Sequence, residues 1–170
     1  QIFGELLMLI EADKRGSEFA IPLVYNYEDE APFSIPANVY LIGMMNLADR
    51  SLAVVDYALR RRFAFMNLAP QYASTTFRQW LLDREMKKEL VRRIQERMTQ
   101  LNRAIAENKI LGPNYQIGHS FFCPKGDDFS GLDGDWFEAI VNTEIIPLLE
   151  EYWFDAPKEV EHLSANLLAP

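Results

Sequence analysis

Asn46, Asp49, Arg50 and Ser51, followed by Asp56 and the triplet Arg60, Arg61, Arg62, bring an amide, carboxylates and guanidinium groups into one short stretch. An amide can orient an attacking water or read a terminal phosphate by hydrogen bonding. A guanidinium fork can neutralise the charge that grows on a transferred phosphoryl group. These residue types together suit phosphoryl transfer. Each also has a plainer reading: Asn46 starts a turn, Asp49 and Arg50 form a local ion pair, and the basic run ends a helix favourably for its dipole. Asp56 either fixes the arginine-bearing helix by a charge-assisted hydrogen bond or is solvated. Consecutive helical residues are rotated by roughly 100°, so at most two of the three arginines face one neighbour, and spacing does not say which.

The elements that must hold these groups are read from periodicity. Val39 to Met45 is an apolar, strand-forming run that ends in Asn46. That is how a buried parallel strand delivers a polar side chain to a sheet edge, where ligands bind. Phe63 to Leu68 alternates as a second strand, and Pro70 breaks it. Upstream, Ile2 to about Asp13 reads as a helix stopped near Gly16. Phe19 to Asn26 and Phe33 to Ile35 then flank the acidic turn Glu28, Asp29, Glu30 as an irregular hairpin. From Thr75 onward the pattern is helical, apart from Gly112 to Asn114 and the Gly/Asp-rich stretch Pro124 to Asp135. Met86, Leu90, Ile94, Met98, Leu101 and Ile105 mark an amphipathic helix whose other face carries Arg84, Lys87, Lys88, Arg92, Arg93 and Arg97, with Glu89 placed to pair with Arg92 or Arg93. The expected organisation is an α/β base over residues 1–70 and an all-α segment over 71–170, with a nucleotide-sized cleft between them.

The motif Met45-Asn46-Leu47-Ala48-Asp49-Arg50-Ser51 resembles the Met-Asn-x-x-Asp-Arg-Ser signature of the McrB-type AAA+ proteins, motor subunits of methylcytosine-dependent restriction systems. Gly4 to Glu11 is similar to the helix after that family's Walker B strand, Ile117 to Phe122 to a segment of its lid, and Ile146 to Phe154 to its closing helix. The resemblance implies a partial AAA+ fold, the C-terminal half of a P-loop NTPase-like three-layer α/β core followed by an all-α lid. It implies a sensor role for Asn46, and for Asp49 and Arg50 a network around the attacking water and the subunit seam. Arg61 and Arg62 take the place of arginine fingers supplied to the next subunit. His119 stands where many AAA+ proteins carry a second sensor arginine; a neutral His there either donates one hydrogen bond to nucleotide or serves as a packed or capping residue. For the full-length protein the resemblance implies GTP, or else ATP, with magnesium, a self-associating hexameric ring, and an McrC-type endonuclease partner. DNA would be contacted through a separate N-terminal domain, and the location would be cytoplasmic.

Gly-x-x-x-x-Gly-Lys, the loop whose N–H groups cradle phosphates, does not occur, and none of the eight glycines precedes a lysine. The chain therefore reads as a C-terminal portion that is inactive by itself and holds no tightly bound cofactor. A net charge of -8 argues against a broad grip on duplex DNA. Cys123 is the single cysteine, and neither it nor His162 has partners at metal-ligand spacing, so no zinc site and no Cys-His pair is expected. No apolar stretch approaches the ~18 residues that span a bilayer. Trp136, Phe137, Tyr152, Trp153 and Phe154 read as one buried helical face before they read as a base-stacking platform. Two other functions fit more loosely: a MoxR- or dynein-like ATPase that remodels proteins, and a non-catalytic helical interaction module.

Overall fold

The structure, a computed structural model, describes residues 7–23, 31–46 and 62–169. The chain divides into two compact units, Gln1–Asn67 and Leu68–Pro170.

The second unit is helical: α1 (Thr75–Leu82), α2 (Lys88–Glu107), α3 (Gly134–Ile140), α4 (Ile146–Tyr152) and α5 (Pro157–Leu168), with short 3-10 turns at Pro113–Tyr115 and His119–Phe122. Ser74 starts α1, its Oγ accepting the Phe77 N–H at 3.0 Å, so a donor that the first turn leaves without an intrahelical partner is satisfied. The apolar stripe expected on α2 is buried at all six positions, from Met86 just before the helix to Ile105. Around it pack Tyr72, Phe77, Phe122, Phe129 and Phe137. The cations take other partners than the sequence suggested. Arg92 pairs with Glu96 rather than Glu89, and Arg93 reaches Glu138 on α3. Reach explains the second exchange: Arg93 is only 21% exposed and lies over the Phe137 ring, which turns its guanidinium inward.

Phe137, Val141, Ile145, Leu149 and Trp153 are buried at a constant interval of four. An α-helix drifts about 40° over four residues, so four such steps would rotate the face by about 160° and carry Trp153 to the far side. The helix avoids this by widening to a π turn over Val141–Ile145, between α3 and α4. The extra residue gives back about 100°, and the remainder fits within one apolar stripe. The wide turn lies just before Pro147, which has no N–H and would clash with the carbonyl four residues back in an α-helix. Asn142 Nδ2 and Thr143 Oγ1 donate to the Glu138 and Ala139 carbonyls at 2.8 and 2.9 Å, supplying polar partners along the disturbed ladder. Phe154 departs from the expected aromatic face and is 83% exposed.

The first unit differs more from expectation. Residues 7–14 form successive turns rather than a regular helix, closed by Glu11 N–H to Met8 O and Lys14 N–H to Glu11 O. The irregular hairpin is present as an antiparallel bridge, Ile21 and Phe33 exchanging both backbone hydrogen bonds at 2.9 and 2.8 Å. Its acidic turn, Glu28 to Glu30, lies outside the described residues. Residues 39–46 and 63–68, both expected as strands, carry no ladder, and Tyr40, Ile42 and Met44 are almost fully exposed. Among the described residues there is no strand, and the three-layer α/β core is not seen among them, while the helical lid is. Strand propensity makes a segment suitable for pairing, but only a neighbouring backbone satisfies its N–H and C=O groups. No described helix is long and apolar enough to cross a membrane.

Candidate functional site

Of the residues singled out for phosphate chemistry, Asn46, Arg62 and His119 are described; Asp49, Arg50, Asp56, Arg60 and Arg61 lie outside the described residues. Asn46 ends the exposed run 39–46, which carries no regular secondary structure. The start of that run is tied by a residue the sequence reading passed over: Arg15 Nη1 donates to the Val39 carbonyl at 2.9 Å, and Nη2 to the Ile10 carbonyl at 2.9 Å. Arg62 Nη2 lies 2.8 Å from Glu11 Oε1, with its side chain 14% exposed. The third arginine of the triplet is thus engaged by a carboxylate of its own unit.

In the second unit, His119 opens the short turn His119–Phe122 and is held from several sides. Its Nδ1 accepts the Gln71 backbone N–H at 3.2 Å, and its ring meets Tyr72 and Phe77 edge to face. A neutral imidazole that accepts through Nδ1 carries its proton on Nε2, so the ring is a donor on its other side. Tyr72 Oη donates to the Gly118 carbonyl at 2.7 Å, and Gln95 Nε2 donates to the Tyr72 carbonyl at 2.6 Å. Asn102 of α2 grips Ile117 with both ends of its amide: Oδ1 accepts the Ile117 N–H at 2.7 Å and Nδ2 donates to the Ile117 carbonyl at 2.9 Å. Asn102 and Tyr72 were not among the sequence candidates. A signal for Asn102 existed, since it falls four residues after Met98 and three before Ile105, on the stripe itself.

Burial pushes the Tyr72 phenol above its ordinary value of 10.0, with Cys123 adding to the rise. The folded state therefore keeps this proton when the unfolded chain has lost it, so the stability it contributes is intact below about pH 10 and falls as pH rises further. Tyr72→Phe is expected to lose about 1 kcal/mol near neutral pH with the Gly118 bond. Urea midpoints measured from neutral pH upward should show the gap between wild type and variant closing as the solution becomes strongly alkaline. Cys123 donates through Sγ to the His119 carbonyl at 3.4 Å, and burial raises its thiol as well, which makes it a poor nucleophile.

Two grooves mark the helical surface, of about 210 Å³ between α2 and α5 and about 330 Å³ between α1 and α2. Neither is lined by His119, and both are at or below the lower end of the roughly 300–1,000 Å³ usual for small-molecule sites. No described group of three His, Cys, Asp or Glu side chains could hold a metal ion.

Residues 93–161 match the family described as McrB, alpha-helical lid domain. Over 169 residues, 99% of this chain, the sequence is 47% identical to the Type IV methyl-directed restriction enzyme EcoKMcrB subunit of Escherichia coli (strain K12). The chain spans 37% of that relative's length. The matched lid interval contains Asn102, His119 and the π turn.

Proposed function

This chain belongs to the McrB family, and from that premise we propose that it is part of a nucleotide-hydrolysing motor subunit whose work drives a methyl-directed restriction complex. The observation that carries the reading is the identity of 47% sustained over 99% of the chain, through the Met45 to Ser51 motif and on into the helical lid. GTP is the preferred nucleotide, and subunits assemble as a hexameric ring with an McrC-type endonuclease. Magnesium, bound with the nucleotide by groups outside the described residues, would supply charge neutralisation at its phosphates. Asn46 orients the attacking water, and Asp49 and Arg50 support it at the subunit seam. With Arg62 engaged by Glu11, Arg61 is the arginine assigned to reach the neighbour's nucleotide. A guanidinium arriving there matters most as charge develops, so its removal slows hydrolysis more than binding.

Phosphate release by the full-length protein, with GTP or ATP and with or without the endonuclease subunit, tests this. GTP-selective turnover stimulated by that subunit is expected, reduced about tenfold or more by Asn46→Ala and by the double variant Arg61→Ala, Arg62→Ala. ATP turnover indifferent to the endonuclease would replace this reading with a general protein remodeller. Full turnover in both variants would leave an interaction module.

A further inference from the structure

We propose that the groove between α1 and α2 is a docking surface for an extended acidic segment of a partner protein, whose carboxylates at alternate positions are held by Lys88, Arg92 and Arg78. The proposed hydrolysis makes no use of this surface.

Arg78 and Leu82 of α1 face Lys88, Val91, Arg92 and Gln95 of α2 across a groove of about 330 Å³. Val91 is buried and Leu82 half-buried, which makes the floor apolar, while Arg78, Lys88 and Arg92 are exposed. In a chain of net charge -8, three cations meet here beside a single lining carboxylate, Glu89. Arg78 and Lys88 engage no carboxylate among the described residues. Arg92 has Glu96 at 3.5 Å, with both side chains more than half exposed, a screened pair that a competing carboxylate displaces at little cost. Lys88 and Arg92 stand one turn apart, about 6 Å along the α2 axis. Alternate side chains of an extended peptide leave one face at intervals of roughly 6.6 Å, so two of its carboxylates meet the two cations in register. Arg78 takes a third from the opposite wall, and clustered arginines recognise acidic motifs in this way. Nucleic acid also presents anions in series, but the groove suits a peptide better. Gln95 Nε2 is committed to the Tyr72 carbonyl at 2.6 Å, which leaves Gln95 Oε1 as an acceptor; a peptide backbone has N–H groups to give it, and a phosphodiester backbone has none. The floor of Val91 and Leu82 covers the aliphatic stems of glutamate side chains, which a phosphate lacks. Three cations beside one carboxylate supply little of the counterion release on which nucleic-acid binding depends.

The test is fluorescence anisotropy with the full-length protein and three labelled probes: a peptide with glutamate at alternate positions and alanine between, its glutamine analogue, and a DNA duplex. Wild type is expected to bind the glutamate peptide saturably, and the glutamine analogue about tenfold or more weakly. Arg78→Gln, Lys88→Gln and Arg92→Gln should each weaken glutamate-peptide binding about two- to fivefold, and the triple variant about tenfold or more. Arg103→Gln removes the same charge from an exposed pair about two turns beyond Gln95 and should leave binding unchanged. The three groove cations are exposed, so their substitution spares the core, and thermal melting confirms that each variant is folded. Equal binding of the glutamine analogue, no saturable binding of the glutamate peptide, or an equal effect of Arg103→Gln overturns the proposal. Tighter binding of the duplex, lost in the triple variant, overturns it in favour of a nucleic-acid surface. The assay needs no hydrolysis, so its outcome is separate from that of the phosphate-release experiment.

Discussion

Phe122→Ala is expected to destabilise the second unit by roughly 3–5 kcal/mol, the range for deleting a fully buried ring. Phe122 is wholly inaccessible to solvent and is the meeting point of the aromatic core. It stacks on Phe137 at 5.4 Å between centroids and meets Tyr72 and Trp136 edge to face at 6.1 and 6.0 Å. Removing it leaves three rings facing a void that rigid helices cannot close, so cavity and lost ring contacts add to the transfer term. Urea unfolding followed by tryptophan fluorescence measures this, and the midpoint should drop by more than about 1 M. Phe122→Leu keeps more of the volume and should cost clearly less. A loss under about 1 kcal/mol for the alanine variant would mean that the cluster is not the core.

Arg93→Ala should cost about 2 kcal/mol, with its damage concentrated at the end of α5. Arg93 Nη2 donates to Glu138 Oε1 at 3.0 Å and to the Leu168 and Ala169 carbonyls at 3.3 and 3.5 Å, and the guanidinium lies 4.8 Å from the Phe137 ring centroid. Glu138 is 45% exposed, so its ion pair is screened and contributes the smaller share. The larger share comes from the helix-terminal carbonyls, which have no intrahelical donors. Arg97 also donates to the Ala169 carbonyl, at 3.2 Å, so the end of α5 is clamped by two arginines one turn apart. Hydrogen exchange should speed up over the last turn of α5 in the variant while the middle of α2 stays protected. Arg93→Lys should recover little, because an ammonium lacks the flat face that lies over the Phe137 ring and its shorter reach must serve the α5 carbonyls at the same time. Uniform acceleration across the unit would show that Arg93 supports the whole core instead.

The helical unit was legible because its signals are local. The spacing of Met86, Leu90, Ile94, Met98, Leu101 and Ile105 encodes which face of α2 is buried, and Ser74 before Thr75 marks where α1 begins. Residues 39–46 were less legible for a physical reason: β-branched and aromatic content records suitability for a ladder, whereas the ladder itself depends on a second segment far away in sequence. The motif around Asn46 could be recognised without its surroundings, but the engagement of Arg62 by Glu11 could not. Residues 51 positions apart reveal no pairing through spacing. Asn102 was hidden by its own neighbours, since a polar residue amid charged ones on an amphipathic helix is normally assigned to the solvated face. Only its register with Met98 and Ile105 gives it away.

The π turn at Val141–Ile145 bears on how this lid tolerates changes of length. A π turn is what an α-helix becomes when one residue is added and the flanking segments keep their packing. The three residues between Val141 and Ile145, namely Asn142, Thr143 and Glu144, are all exposed, and removing one of them would turn the buried spacing of four, four and four through Phe137, Val141, Ile145 and Leu149 into four, three and four. That is the ordinary rhythm of an uninterrupted α-helix. The lid helix thus has an address where the chain can lose a residue without turning its buried face to water, and the present sequence is the longer of the two solutions.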